Sequence, residues 1–150
     1  MIGIGQKNHR DKKENGNLIM NIYEFNIINS QSAINDLMTK FNGFHDCCIK
    51  EIKYISGGFV DQNGAINPFD SIRTITAIFQ SQNAIVRAIE MKFEKVVRLN
   101  LCPKGEMEDA VIYGASIISY NGLLYWSSLC DINLSELEKN DYTWISSEKI

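Results

Sequence analysis

Most of the motifs that mark an enzyme or a membrane protein are missing from this sequence of 150 residues. It has only two histidines, and it lacks an HExxH zinc motif, a serine nucleophile elbow and a phosphate-binding glycine-rich loop. No stretch approaches the roughly 20 apolar residues that span a bilayer, and no apolar run of signal-peptide type follows the basic start. We therefore expect a cytoplasmic protein that has no membrane partner and needs no cofactor.

Basic charge is also scarce. The chain has 15 Lys and Arg against 18 Asp and Glu, which gives a formal net charge of −3. Binding to nucleic acid depends on a basic footprint, so a general nucleic-acid binder is not expected. The acidic residues concentrate at 106–109 and over 131–150, where they form either a solvated face or a recognition surface for a basic partner.

The four cysteines do not have the pattern of a disulfide framework. Cys47 and Cys48 are adjacent, and Cys102 and Cys130 lie far along the chain. Because a cytoplasmic chain of this length needs no covalent staples, free thiols are expected. A Cys47 nucleophile activated by His45 is conceivable, but a lone cysteine in an apolar run is more often part of the core.

The residue present in excess is isoleucine, with 22 copies against 9 leucines, 5 valines and 7 alanines. Isoleucine is β-branched and suits pleated sheets, whereas leucine and alanine favour helices. With 45% hydrophobic and 22% charged residues, the composition is that of a globular domain. It predicts a β-rich fold.

One helix and a series of strands follow from local patterns. Ser30 or Ser32 can cap a helix that ends at Asn42-Gly43, and its apolar residues recur at helical spacing: Ile34, Leu37, Met38 and Phe41. Strands are predicted at 22–28, 47–55, 72–80, 85–93 and 97–101, in a hairpin over 110–130, and at 141–145, with one helical turn from Ser135. We expect an α+β fold, in which this N-terminal helix packs on a largely antiparallel sheet of six to eight strands. The sheet forms a sandwich or a partly open barrel.

The hairpin carries the most specific local signal, because Asn121-Gly122 is the dipeptide of a type I′ turn. A two-residue turn sets the register of the strands: Tyr120 opposite Leu123, Ile118 opposite Tyr125, and Ile117 opposite Trp126. Both resulting faces are largely apolar. We therefore expect the hairpin to be central or wrapped rather than a one-sided edge.

The first residues of the chain show neither a helical nor a strand period. Residues 1–19 carry a net charge of +2 and precede a second methionine, Met20, where an apolar segment begins. We interpret residues 1–19 as a flexible N-terminal extension and residues 20–150 as a single α+β domain. The net charge of that domain is then nearer −5 than −3.

His45-Asp46 is the pair of residues with the most evident chemistry. In metal-dependent phosphohydrolases an adjacent His-Asp pair supplies two metal ligands, and Asp61, Asp70 or a cysteine could complete such a site. The sequence does not display a convergent ligand set of that kind. The interpretation we favour is structural: the pair shapes the turn from helix to sheet, with Asp accepting backbone N–H groups and His bonding a carbonyl.

Several short motifs lie between residues 40 and 126: the run from Phe41 to Tyr54 with Phe44-His45-Asp46, Arg73 leading a strand, Gln80-x-Gln82, Glu90 to Glu94, and Tyr125-Trp126. In this arrangement the chain is similar to small uncharacterised bacterial proteins in which Phe-His-Asp opens a β-rich domain. It also resembles, more loosely, the immunity proteins of bacterial polymorphic-toxin systems. The resemblance implies a cytoplasmic single-domain protein that binds a partner, and it carries over no catalytic residues.

The predicted function is therefore a non-enzymatic protein-binding module, an immunity-type inhibitor or adaptor whose partner is another protein. His45, Asp46, Tyr125 and Trp126 are the candidate binding residues, and no catalytic residue is assigned. Two alternatives stay open. One is a small metal-dependent hydrolase that uses His45 and Asp46 with Asp61, and the other is a small-ligand carrier in which the hairpin lines a barrel interior. The sequence leaves the oligomeric state open.

Overall fold

The computed structural model describes residues 3–6, 25–139 and 141–148. Within them lie one α-helix, α1 (Gln31–Lys40), and two short 3-10 helices, Asn42–Phe44 and Leu134–Lys139. The strands are β1 (Gly3–Gln6), β2 (Phe25–Ile27), β3 (Cys47–Ile55), β4 (Phe59–Val60), β5 (Ile66–Asn67), β6 (Thr74–Ser81), β7 (Ala88–Phe93), β8 (Val96–Asn100), β9 (Ser116–Tyr120), β10 (Leu123–Ser127) and β11 (Trp144–Glu148). None of the described helices is long and apolar enough to cross a membrane.

The strands form three antiparallel sheets. A five-stranded sheet has the order β2-β1-β7-β6-β3, a four-stranded sheet has the order β8-β11-β10-β9, and β4 pairs with β5. This confirms a mostly antiparallel β-fold with one α-helix. The described residues contain eleven strands rather than the six to eight predicted. Three of them, β1, β4 and β5, are too short to show an alternating pattern in the sequence.

The N-terminal residues differ from the expectation where the structure describes them. Gly3–Gln6 pairs with both β2 and β7, so these four residues belong to the five-stranded sheet and not to a flexible extension. Glycine is depleted in strands, which is why no strand was predicted for these residues. Residues 7–19 of the predicted extension, and residues 22–24 of the predicted first strand, lie outside the described residues.

Helix α1 forms where the capping and spacing signals predicted it. The Ser30 hydroxyl accepts a hydrogen bond from the Ala33 N–H at 3.2 Å, so Ser30 is the N-cap. Ile34 and Leu37 are buried on its inner face. At the other end the Phe41 N–H donates to the Leu37 carbonyl. The Phe41 side chain, directly after the helix, is buried in the core.

The core joins the two large sheets through aromatic rings. Phe44 contacts Phe41, Phe79 and Trp126, with ring centroids 4.9, 5.2 and 5.9 Å apart. Phe79 lies on β6 of the five-stranded sheet and meets Trp126, on β10 of the four-stranded sheet, at 4.9 Å. All four rings are buried, and their edge-on geometry adds to the stabilisation that burial gives. The turn that follows α1 is therefore anchored at the centre of the fold.

The hairpin β9–β10 has the predicted register, with Tyr120 opposite Leu123, Ile118 opposite Tyr125, and Ile117 opposite Trp126. Asn121 and Gly122 have φ values of 48° and 77°, as a type I′ turn requires. One face of the hairpin enters the core and the other lines an open groove. The two faces therefore do not enclose a barrel interior between them.

Strand ends differ from the predictions by a few residues. Strand β7 begins at Ala88 rather than at residue 85, because the Ser81 hydroxyl accepts the N–H groups of Asn83 and Ala84 and turns the chain there. The last strand runs over Trp144–Glu148 rather than 141–145. A bend separates β7 from β8, with Lys95 at φ 51°. It carries the chain into the other sheet, where β8 pairs with β11.

Candidate functional site

The predicted pair His45-Asp46 lies at the junction between the 3-10 helix Asn42–Phe44 and strand β3. Asn42, Phe44 and Asp46 all have left-handed backbone conformations, with φ values of 51°, 63° and 55°. This conformation is uncommon for a bulky residue such as phenylalanine. It persists here because the Phe44 ring is fully buried among the core aromatic residues. The packing of the ring stabilises the turn by more than the backbone strain costs.

Asp46 braces this junction against the turn between β6 and β7. Its carboxylate accepts a hydrogen bond from the Asn83 amide at 2.7 Å, and its backbone carbonyl accepts the Gln82 N–H at 3.1 Å. The same carboxylate oxygen lies 3.1 Å from His45 Nδ1. These contacts hold the turn from helix to sheet in place, which is the structural role that we favoured for the pair. The Asp46 carboxylate, however, bonds a side-chain amide rather than backbone N–H groups.

His45 reaches the segment on the other side of β3. Its ring lies edge-on to the Tyr113 ring, with centroids 6.5 Å apart, and the Tyr113 hydroxyl donates to the Asp109 carboxylate at 2.5 Å. That hydrogen bond, together with one from the Val111 N–H, lowers the pKa of Asp109, while the Asp109 carboxylate raises the pKa of Tyr113. At neutral pH the pair therefore stays as carboxylate and phenol, which suits holding a loop rather than transferring a proton.

The structure does not bring Asp61 together with His45 and Asp46 as a ligand set. Asp61 lies in the β4–β5 hairpin, where its Oδ1 accepts the N–H groups of Asn63 and Ala65, both at 2.9 Å. Among the described residues, no three His, Cys, Asp or Glu side chains are grouped as metal ligands would be. Asp61 therefore shapes a turn, and the geometry gives the metal-site alternative no support.

The cysteines are free thiols in the structure. Cys47, the neighbour of the His-Asp pair, is buried, and its burial raises its pKa to about 12, with Cys48 and Asp46 contributing in the same direction. A thiol with so high a pKa carries almost no thiolate at neutral pH. Cys47 is therefore a core residue rather than an activated nucleophile.

Tyr125 and Trp126 lie on opposite faces of β10 and cannot form one binding site. Trp126 is 1% exposed and belongs to the aromatic core, which corrects its assignment as a binding residue. Tyr125 is half-buried on the outer face. There it lines an open groove of about 1270 Å³ together with Arg98 and Trp144, and the Arg98 guanidinium lies 5.4 Å from the centre of the Trp144 ring.

A second open groove, of about 700 Å³, runs beside β3. One wall includes Ile49 and Ile52 of β3, and the opposite side includes Val111 and Tyr113. His45 therefore stands next to one end of this groove through its contact with Tyr113. The groove is open to solvent and is not an internal cavity of the kind expected for a carrier barrel.

A group of exposed apolar side chains lies in the segment 56–72, between β3 and β6. We call it the hairpin patch, and it consists of five large side chains that are 49–73% exposed: Phe59, Val60, Ile66, Phe69 and Ile72. The signal that could have revealed it is the recurrence of large apolar residues in a stretch that has only two charged residues, Asp61 and Asp70. That signal shows the apolar side chains, but whether they are exposed depends on the tertiary fold.

Comparison of the chain with protein-family models, with curated proteins and with solved structures finds no match.

Proposed function

We propose that the chain is a protein-binding module, an inhibitor or adaptor of the immunity-protein type, which binds its partner through the hairpin patch. The observation that carries this proposal is the exposure of five large apolar side chains on one segment. Exposed large apolar side chains that are concentrated in one part of a surface mark sites of interaction with other proteins. Burial of such side chains against a partner is the main source of binding free energy.

The segment that carries the patch is held at its base. The Ser56 carbonyl accepts the N–H groups of both Ile72 and Arg73 at 3.0 Å, so the chain leaves β3 and returns to β6 at one point. Gly57 makes this closure possible: its φ is 102°, and a Cβ there would lie 2.7 Å from the Ile72 nitrogen. Any larger residue would push the two strands of the base apart.

The tip of the segment is ordered by its own hydrogen bonds. The Asp61 carboxylate caps the turn, the Asp61 N–H donates to the Ala65 carbonyl at 2.9 Å, and Val60 lies opposite Ile66 across the hairpin. Among the described strands, β4 and β5 pair only with each other. The hairpin is therefore held by these local hydrogen bonds and not by pairing with a larger sheet. A surface that is ordered before binding loses less entropy when the complex forms.

The charge around the patch indicates the kind of partner. Asp61 and Asp70 are the charged residues of the segment 56–72, and both are acidic. A partner with an apolar centre and a basic rim would therefore match this surface, and complementary charge accelerates encounter and selects among partners.

A site-specific photo-crosslinker tests this proposal in the producing cell. We expect a crosslinker at Phe69 to capture one defined protein, and the same crosslinker at Ile85 to capture none. Ile85 is the matched control because it is an apolar residue that is 91% exposed in the turn between β6 and β7, away from the patch. Capture of the same proteins from both positions, or of none from Phe69, would contradict the proposal.

A further inference from the structure

Strand β3 has an open edge that the rest of the described chain leaves unpaired. It is the last strand of the five-stranded sheet, with β6 on one side. On its other side only Cys47 is bridged, by two backbone hydrogen bonds with Ile112 whose N···O distances are 3.4 and 2.7 Å. Beyond that bridge, no described strand pairs with the free side of residues 49–55. An edge of this length is a template for another strand.

We propose that this edge pairs with the same edge of a second copy of the chain. The two β3 strands would run antiparallel around a two-fold axis at Ile52 and join the two five-stranded sheets. At the centre of this pairing Ile52 lies opposite Ile52 of the second copy, and Glu51 lies opposite Lys53 on either side of it. This inference goes beyond the proposed function and does not depend on the hairpin patch.

The charges along β3 select this register. It sets opposite charges against each other, because Glu51 then faces Lys53 twice. The neighbouring symmetric registers place Glu51 opposite Glu51 or Lys53 opposite Lys53, and like charges directly opposite each other destabilise a sheet.

The direction of the backbone groups agrees with this register. Alternate residues of a strand turn their N–H and C=O groups to opposite sides, and β6 pairs with Glu51 and Lys53 across a bulge at Lys50. The Cys47 N–H and C=O groups point to the free side, where they bond Ile112. When alternate residues are counted from Cys47 and the extra residue of the bulge is allowed for, the Ile52 N–H and C=O groups point to the free side as well. Ile52 would then hydrogen-bond its counterpart, and Glu51 and Lys53 would form the pairs without mutual backbone bonds, whose side chains lie closer together.

The surface beside β3 also fits this partner. The groove of about 700 Å³ is lined by Ile49 and Ile52, so the chain itself does not fill the space next to the edge. Tyr54 and Ile55 are exposed at the far end of the strand. Lysines and bulges normally discourage pairing at a sheet edge, but in this register each Lys53 gains a Glu51 as its partner.

Sedimentation velocity of the full chain tests the inference over a concentration series from about 1 μM to 1 mM, the range in which weak dimers dissociate. We expect the mass to approach twice the 17.1 kDa of one chain as concentration rises. Glu51→Lys and Lys53→Glu should each weaken the dimer by about tenfold or more. The double variant Glu51→Lys/Lys53→Glu, and an equimolar mixture of the two single variants, should restore it.

The control is Asp36→Lys, which makes the same charge change at an exposed residue of α1 beside β2 and β7, at the other end of the five-stranded sheet from β3, and should leave the dimer unchanged. Circular dichroism verifies that each variant is folded. A wild-type chain that stays monomeric throughout the series would overturn the inference, and so would a dimer that both single variants leave intact. A dimer that the single variants lose and that neither the double variant nor the mixture restores would also overturn it.

Discussion

The left-handed conformation of Phe44 leads to a prediction about the effect of glycine at a buried position. Phe44→Ala removes a fully buried ring that contacts three other aromatic rings, and we expect a loss of about 3–5 kcal/mol in the free energy of unfolding. The alanine still carries the cost of a left-handed backbone, roughly 1–2 kcal/mol. Phe44→Gly removes that cost, because glycine adopts a positive φ without strain. In an ordinary backbone conformation glycine is instead about 0.5–1 kcal/mol less stable than alanine. The glycine variant should therefore be the more stable of the two by about 1 kcal/mol.

Phe41 is the matched control, because it is equally buried and has an ordinary φ of −105°. There the order should be reversed, with Phe41→Gly less stable than Phe41→Ala by about 0.5–1 kcal/mol. Urea unfolding followed by the fluorescence of the two tryptophans measures all four variants, with sucrose added if a variant is too unstable. If Phe44→Gly is less stable than Phe44→Ala, as at Phe41, the reasoning about the strained junction is wrong.

Three further predictions concern single side chains. A thiol reagent at pH 8 should label the exposed Cys130 and leave Cys47 unlabelled until the chain unfolds, because burial keeps Cys47 protonated; equal labelling rates would contradict this. Gly57→Ala should lower the Tm and speed amide exchange at the base of the segment 56–72, since its Cβ would clash with backbone; an unchanged Tm would show that the base is not closed. The Tyr113 hydrogen bond lowers the pKa of Asp109 in the folded chain, so the ionised carboxylate stabilises the fold at pH values above its ordinary pKa of 3.8. This stabilisation is lost as the pH falls through the lower pKa of the folded state. Tyr113→Phe should weaken this pH dependence in an acid titration of unfolding, and an unchanged titration curve would exclude the hydrogen bond as its cause.

The parts of the fold that the sequence predicts well are those with local causes. The cap at Ser30 and the turn at Asn121-Gly122 each act within a few residues, so helix α1 and the register of β9–β10 could be read without knowledge of the rest of the chain. The transfer of the chain from β7 into the other sheet at Lys95 could not be predicted in that way, because it depends on the pairing of β8 with the distant strand β11.

The candidate site shows the same limit. The alternation along β10 separates Tyr125 from Trp126, but both faces are apolar, and the sequence cannot tell which of them meets the core. The hairpin patch and the open edge of β3 are defined by what does not pack against them, and no local pattern encodes that property. Only the His45-Asp46 junction was indicated in advance, and its contacts are bracing contacts.

We propose that the hairpin patch serves binding rather than folding. The most direct test is the Kd of the captured partner for the purified chain, for Ile66→Ser and for Ile85→Ser, measured by calorimetry alongside the Tm of each. Both side chains are largely exposed, so neither change should alter the Tm appreciably. We expect Ile66→Ser to weaken binding by about tenfold or more and Ile85→Ser to leave the Kd unchanged. Equal Kd values for all three chains would show that the hairpin patch does not bind the partner.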